Sequence, residues 1–298
     1  MISGFTIIRN GVQYDYPFIE SLRSMLPVID ELVINVGYGT DDTLNEVKKL
    51  ITNEASDKKI VLFESHWPLD NPEKQKEGRI LSEQTNLALE KCANDWCLYL
   101  QADEVLSEED HAKILNMTKK FTNDPKVDGL LFDYNHFYGS FDIIQHSRSA
   151  YRREVRMIKK SSGCHSIGDA QSFRRSNGSK PSVVHCGAKI YHYGWVRTPE
   201  AMKEKTAFMD TLYHGKSKDG SIATGDNYRY KKILGLFPFT GNHPQYMHER
   251  IQKKNWKWDI QNSPLEWRMS DIKKIALNVF ERLTGIRLFE YRSYKRVD

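Results

Sequence analysis

Short apolar runs separated by helix-patterned stretches organise the first half of the chain. Phe5, Ile7 and Ile8 predict a buried strand, and Leu32, Val33, Ile34 and Val36 a second. Further runs predict strands over residues 60–63, 96–100 and 129–132. Between the first two, Phe18, Leu22, Met25 and Leu26 recur at helical spacing until Pro27 ends the pattern. A second helix is expected from about Asp42, with carboxylates near its positive end. A third spans roughly residues 80–92, with Leu81, Thr85, Ala88 and Leu89 on one side. A fourth follows the strand over 96–100, and Ser107 is placed to cap it.

Alternation of this kind predicts an α/β fold with a mostly parallel central sheet and helices on both faces. Ligands of such sheets sit beyond the carboxyl ends of the strands, which is where chemistry is to be sought. From about residue 133 to 197 the runs carry polar interruptions, as at Arg156, Met157 and Ile158 or Ala188, Ile190 and Tyr191. After Pro199 the pattern is helical. Ile272, Ile275, Ala276, Val279, Phe280 and Leu283 keep helical spacing until Gly285 stops them. The expected organisation is an α/β domain over 1–200 and a helical region over 201–298, packed on it or lying at a membrane surface. The apolar stripe from Ile272 to Leu283 is expected to pack inward, leaving a solvated basic face.

Composition narrows the class. With 39% hydrophobic and 28% charged residues in 298, the chain reads as globular rather than disordered. A net charge of +5 suits a polyanion such as a nucleotide diphosphate, or an anionic membrane surface. The charge is too small and too evenly spread for duplex nucleic acid, so no nucleic-acid partner is expected. The start at Met1 shows no signal-peptide pattern, and no apolar run is long enough to span a bilayer. Cys92, Cys97, Cys164 and Cys186 form no Cys-x-x-Cys pair, which predicts reduced thiols and a cytoplasmic setting. Cys164 with His165, and His185 with Cys186, are zinc-type ligands, but neighbours on a strand point to opposite faces. A structural zinc is not expected.

Polar residues cluster at the strand ends. Arg9 and Asn10 follow the first strand. Asn35, Gly37, Gly39 and Thr40 to Thr43 follow the second, and the glycines permit a tight turn near a ligand. Lys76, Gly78 and Arg79 precede the third helix. Gln101, Asp103 and Glu104 follow the strand over 96–100. A carboxylate at that end of a buried strand is rigidly held and can bind Mg²⁺ or Mn²⁺ together with phosphates. The bland alternative makes Asp103 and Glu104 turn residues, although Ser107 to Asp110 already supply the helix start.

The ordered set resembles the family 2 glycosyltransferases of the bacterial surface-polysaccharide type. It comprises the first strand with Asn10, the Gly37 to Thr43 turn, Asn86 to Leu89 on the third helix, and Asn94 to Glu104. The resemblance covers roughly residues 4–200. It implies the GT-A (Rossmann-like) fold and a nucleotide-diphosphate sugar as donor. Asn10 and Asn35 would line the base and ribose pocket, and Arg79 or Lys76 would meet the diphosphate. Asp103 would hold Mn²⁺ or Mg²⁺, with His192 as a further metal ligand. The family usually carries Asp where this chain has Asn35 and Gln101; Gln101 can still hydrogen-bond a ribose hydroxyl. Inverting transfer needs a base beside the acceptor hydroxyl. The resemblance points to Asp169, freed by Gly168, with Asp133, Glu154 and Asp142 in reserve; Gly-Asp is also ordinary turn chemistry. Tyr134 to Ser140 offer rings for an acceptor or for the core.

The implied activity is transfer of a hexose-like sugar to a saccharide or lipid-linked saccharide during polysaccharide biosynthesis. The setting would be the cytoplasm or the inner face of the membrane. Trp256 and Trp258 among lysines, and the basic C-terminal stretch, fit peripheral membrane contact. The competing readings are a saccharide-binding protein without chemistry, which Gln101 and Asn35 favour, and a nucleotidyltransferase. The latter needs a lysine- and glycine-rich loop that Arg9, Asn10 and Gly11 imitate poorly. No Gly-x-Gly-x-x-Gly follows the first strand, which disfavours a dehydrogenase.

Overall fold

A computed structural model describes residues 1–214, 228–267 and 269–297. The apolar runs form the strands that the pattern predicts. These are β1 (Ile2–Ile8), β2 (Glu31–Gly37), β3 (Lys59–Ser65) and β4 (Trp96–Tyr99). The helices between them are α1 (Phe18–Met25), α2 (Thr43–Glu54) and α3 (Arg79–Lys91). Leu22, Met25, Val47, Leu50, Ala88 and Leu89 bury their apolar sides against the sheet. A short β5 (Glu104–Leu106) leads to Ser107, whose hydroxyl accepts from Glu109 N at 3.3 Å. That residue caps a single 3₁₀ turn that runs into α4 (His111–Phe121).

The later strands are β6 (Gly129–Tyr138), β7 (Ser140–Gln145), β8 (Arg153–Lys159), β9 (His165–Ile167), β10 (Ser172–Arg174) and β11 (Ser182–Trp195). They are followed by α5 (Pro199–His214), β12 (Leu236–Pro238), α6 (His248–Gln252), α7 (Met269–Thr284) and β13 (Lys295–Arg296). The main sheet has the order β12-β7-β6-β8-β4-β1-β2-β3, and β11 pairs with β5, β6 and β13. β1, β2, β3, β4, β6 and β11 all point one way. β5, β7 and β8 run against them. The carboxyl ends of β1 to β4 therefore share one edge, and β5 turns back from it. β12 and β13, from beyond residue 200, return to the same sheet.

α7 departs from expectation. Gly285 does end it, with φ 72° and its N–H on Glu281 O at 2.8 Å. The apolar stripe does not pack inward, however. Ile272, Ile275, Val279 and Leu283 are exposed, while Asp271, Lys274, Asn278 and Glu281 turn toward the body. The cause is Arg148, anchored beneath the helix. Its guanidinium donates to Asn278 Oδ1, Leu277 O and Glu281 Oε2 at 2.8–3.0 Å, so the polar side is the side that binds. The four cysteines are free and buried. No helix among the described residues is long and apolar enough to cross a membrane.

Candidate active site

Beyond the carboxyl ends of β1 and β4 lies a cavity of about 480 Å³. Arg9, Gln101, Asp103, Asp169, His192 and Lys205 line it, with Tyr16, Trp67, Trp195 and Phe208 as ring walls. One cavity thus gathers residues read from four separate stretches of sequence. α5 closes one side, because Met202, Lys205, Thr206, Met209 and Tyr213 share a helical face.

The turn from β4 to β5 carries two acids with different fates. Glu104 is fully buried and bound by Arg156, which is also fully buried. Nε and Nη2 of Arg156 meet the two carboxylate oxygens at 2.8 Å each. Tyr134 OH and Gln101 N donate to the same oxygens at 2.8 and 3.1 Å. Glu104 therefore anchors the turn. Asp103 faces the cavity instead, with its Oδ2 3.2 Å from Lys205 Nζ and its Oδ1 3.7 Å from His192 Nε2. Burial pushes the Asp103 carboxyl up, but Lys205, His192 and Arg197 outweigh it and hold it down at about 2. Lys205 also donates to Gly194 O at 2.6 Å, and burial, aided by Arg197, pulls its ammonium down to about 7.

His192 lies on β11 opposite Glu104 and beside His136 of β6. His136 Nε2 is 2.7 Å from Tyr151 O, a carbonyl that can only accept, so that nitrogen carries the proton. His136 Nδ1 is then the acceptor for His192 Nδ1, 3.0 Å away. This relay leaves the lone pair of His192 Nε2 beside Asp103 Oδ1. A carboxylate oxygen and an imidazole nitrogen with an unspent lone pair form a donor set that fits a divalent cation. Metal-binding histidines commonly have their other nitrogen fixed in this manner. Among the described residues no group of three or more His, Cys, Asp or Glu side chains could hold a metal. A cation here would have to draw its remaining ligands from phosphate and water.

Asp169 sits in the turn between β9 and β10, flanked by Gly168 at φ 55° and Ala170 at φ 61°. Tyr213 OH donates to its Oδ2 at 2.8 Å and Gln171 N to its Oδ1 at 3.2 Å. Gly78, at φ 68°, lets the start of α3 come against this turn; a Cβ there would lie 2.9 Å from Asp169 Cβ. The reserve carboxylates do not line the cavity. Asp133 is held by Arg153 and His185, Glu154 by Gln171 and Ser293, and Asp142 by Ser140.

Four other anticipated residues lie outside the cavity lining. Asn35 is fully buried and spends its amide on Gln84 O and Oε1 at 3.1 and 3.0 Å, and accepts from Ser65. Asn10, at φ 51°, accepts from Thr40 N at 3.1 Å and so fastens the turn after β2. A Cβ on Gly39 would come within 2.2 Å of its Oδ1, which explains that glycine. Arg79 begins α3 and reaches Glu77 at 3.8 Å, while Lys76 pairs with Glu73. Among the described residues, the cations lining the cavity are Arg9 and Lys205. Lys205, Tyr213 and Arg156 were given no role at the site from sequence, and His136 was named only within the Tyr134 to Ser140 run. The i, i+3, i+4, i+7, i+11 run from Met202 to Tyr213 was the available signal for the first two.

No family model and no curated protein matches the chain. Among solved structures it is similar to S. aureus TarS, at 15% identity over 70% of this chain and 38% of that one, with a TM-score of 0.41. It is also similar to TarS 1-349 in complex with UDP-GlcNAc, at 14% identity over 71% of this chain and 66% of that one, TM-score 0.38. A mannose-6-phosphate isomerase from Helicobacter pylori follows at 16% identity, covering 53% and 60% of the two chains, TM-score 0.31. The chain spans less than two thirds of the length of each. Likenesses this distant carry no argument, and the functional reading rests on the cavity.

Proposed function

We propose that the chain is a GT-A-type glycosyltransferase. It would move a sugar from a nucleotide-diphosphate donor to a saccharide or lipid-linked saccharide, with inversion. The observation that carries this reading is the cavity at the strand ends, where Asp169, Asp103, His192, Gln101 and two cations converge. Asp169 is the general base. It takes the acceptor hydroxyl proton as the oxygen bonds to the sugar's anomeric carbon, and the carbon–phosphate-oxygen bond breaks with its electron pair leaving on the diphosphate. Tyr213 and Gln171 N fix the carboxylate's direction. Lys205 and Arg9 supply positive charge to the departing diphosphate, and Gln101 would bond a ribose hydroxyl. Asp103 and His192 would hold Mn²⁺ or Mg²⁺, which neutralises developing phosphate charge when bound.

Incubation with a panel of nucleoside-diphosphate sugars and Mn²⁺, followed by assay of released nucleoside diphosphate, tests the reading. Donor-dependent release and a donor-dependent rise in melting temperature are expected. Asp169→Asn should lower kcat about 10²–10⁴-fold while keeping the donor-dependent rise. Neither release nor a thermal shift with any donor would sink the proposal, and full turnover in Asp169→Asn would remove Asp169 as base.

A further inference from the structure

α7 is amphipathic, but its polarity is the reverse of a core-packed helix. Its polar residues Asp271, Lys274, Asn278 and Glu281 recur at spacings of three and four on the side turned to the protein. Arg148 and Arg152 bind that side; Arg152 Nη1 meets Glu281 Oε1 at 2.6 Å. The apolar residues Ile272, Ile275, Val279 and Leu283 recur at i, i+3, i+7 and i+11 on the outer side. Beyond Gly285 the exposed stretch continues through Ile286 and Phe289. Leu283 is 81% and Phe289 82% exposed. A helix held in place by its polar face has no reason to present a continuous apolar one to water, so that face has another environment to meet.

The rim identifies that environment. Lys273 Nζ lies 5.6 Å over the ring of Phe289, and Lys180 Nζ lies 5.2 Å over the exposed ring of Tyr291. Between residues 269 and 297, seven lysines and arginines face three acids in the sequence. An apolar face with rings and ammonium groups at its edge matches the acyl boundary and headgroups of anionic lipid. A second copy meeting the same face across a two-fold axis would bring the same cations to the same patch.

We propose that the outer face of α7, with Ile286 and Phe289, seats the protein on an anionic lipid surface. The inner face supplies a connection to the chemistry. Asp271 and Lys274 line a second cavity of about 370 Å³ that also includes Tyr151, His192 and Trp195. Those last three also line the active-site cavity. The helix thus has lipid on one side and, on the other, a cavity that shares His192 with the active-site cavity. Seating on lipid does not depend on the sugar-transfer reading.

Co-sedimentation of the full chain with phosphatidylcholine vesicles, with and without phosphatidylglycerol, tests this. Two variants accompany the wild type: Val279→Asn with Leu283→Asn, which removes apolar contact without adding charge, and Lys273→Glu, which reverses one rim charge. Sedimentation velocity of the wild type and the double variant without lipid reports any self-association. Binding of the wild type to the phosphatidylglycerol vesicles is expected, weakened at least about tenfold in the double variant and severalfold in Lys273→Glu. The wild type should sediment as a monomer. No wild-type binding to anionic vesicles would overturn the proposal. So would undiminished binding of the double variant, or a wild-type dimer that the double variant dissolves. If the double variant fails to fold, wild-type binding and Lys273→Glu decide alone.

Discussion

At the scale of single residues, the site depends on which partner each polar group has already taken. Asp103 and Glu104 are adjacent in sequence, yet a buried arginine, with Tyr134 OH and Gln101 N, holds Glu104 and leaves Asp103 to the cavity. His136 acts only through His192, whose orientation and tautomer it sets. His136→Phe removes the acceptor for His192 Nδ1 at similar size. In the presence of nucleoside diphosphate it should weaken Mn²⁺ binding about 10–100-fold, read from the free Mn²⁺ electron paramagnetic resonance signal. Unchanged Mn²⁺ affinity would separate His136 from the cation. Sequence pointed to Asp103 and Gln101 because strand ends leave a local signature, and to His192 and Asp169 through the family resemblance. It pointed to Asn35 and Arg79 for the same reason, but Asn35's amide is claimed by Gln84 and Ser65 across α3 and β3. Such pairing at a sequence separation of 49 has no local trace.

At the scale of elements, strand and helix periods made β1 to β4 and α1 to α3 legible, since each is built from its own apolar spacing. The pairing of β6, β8 and β11 was not, because polar interruptions there are ion pairs inside the sheet. Arg156 is the clearest case: its charge breaks an apolar run, yet it is fully buried against Glu104. Glu104→Gln leaves that guanidinium without its counter-charge and should cost about 3–5 kcal/mol. In a chain of this size that is a fall in melting temperature on the order of 10 °C, measurable by calorimetry; a fall of less than about 2 °C would mean the pair is not the anchor of the turn. A second clamp joins the loop after β12 to β7 and β11. His243 Nε2 donates to Phe141 O at 3.1 Å, and its Nδ1 accepts from Tyr193 OH at 2.9 Å. Burial pulls this imidazole down to about 4, which the Phe141 bond only partly offsets. The folded pKa lies below the unfolded value, so the unfolded chain binds the extra proton in between. The contribution to stability is whole above about pH 6.5 and is lost as pH falls toward 4. His243→Gln should therefore show a shallower loss of melting temperature between pH 7 and 4 than the wild type, and parallel curves would mean His243 does not titrate on unfolding.

At the scale of the whole molecule, the net charge of +5 gains meaning from its position. Lys273 and Lys180 stand at the edge of α7, whose apolar side faces out, and that arrangement was not legible from periodicity. The spacing of Ile272, Ile275, Val279 and Leu283 announces a helix, but Arg148 and Arg152 decide which side is held. Two forces of different range then act on a lipid-seated α7, and salt separates them. Each lysine or arginine near an anionic surface contributes about 1 kcal/mol, decaying over roughly 10 Å at 0.1 M salt and about 3 Å at 1 M. Burial of the apolar side chains is not screened and strengthens slightly with excluded salts. Raising NaCl from about 0.1 to about 1 M should therefore reduce vesicle binding severalfold without abolishing it, since screening removes only the first force. In Val279→Asn with Leu283→Asn the same salt step should abolish what binding is left. A wild type released completely by salt would mean that the cations bind lipid alone and that the apolar face of α7 stays in water.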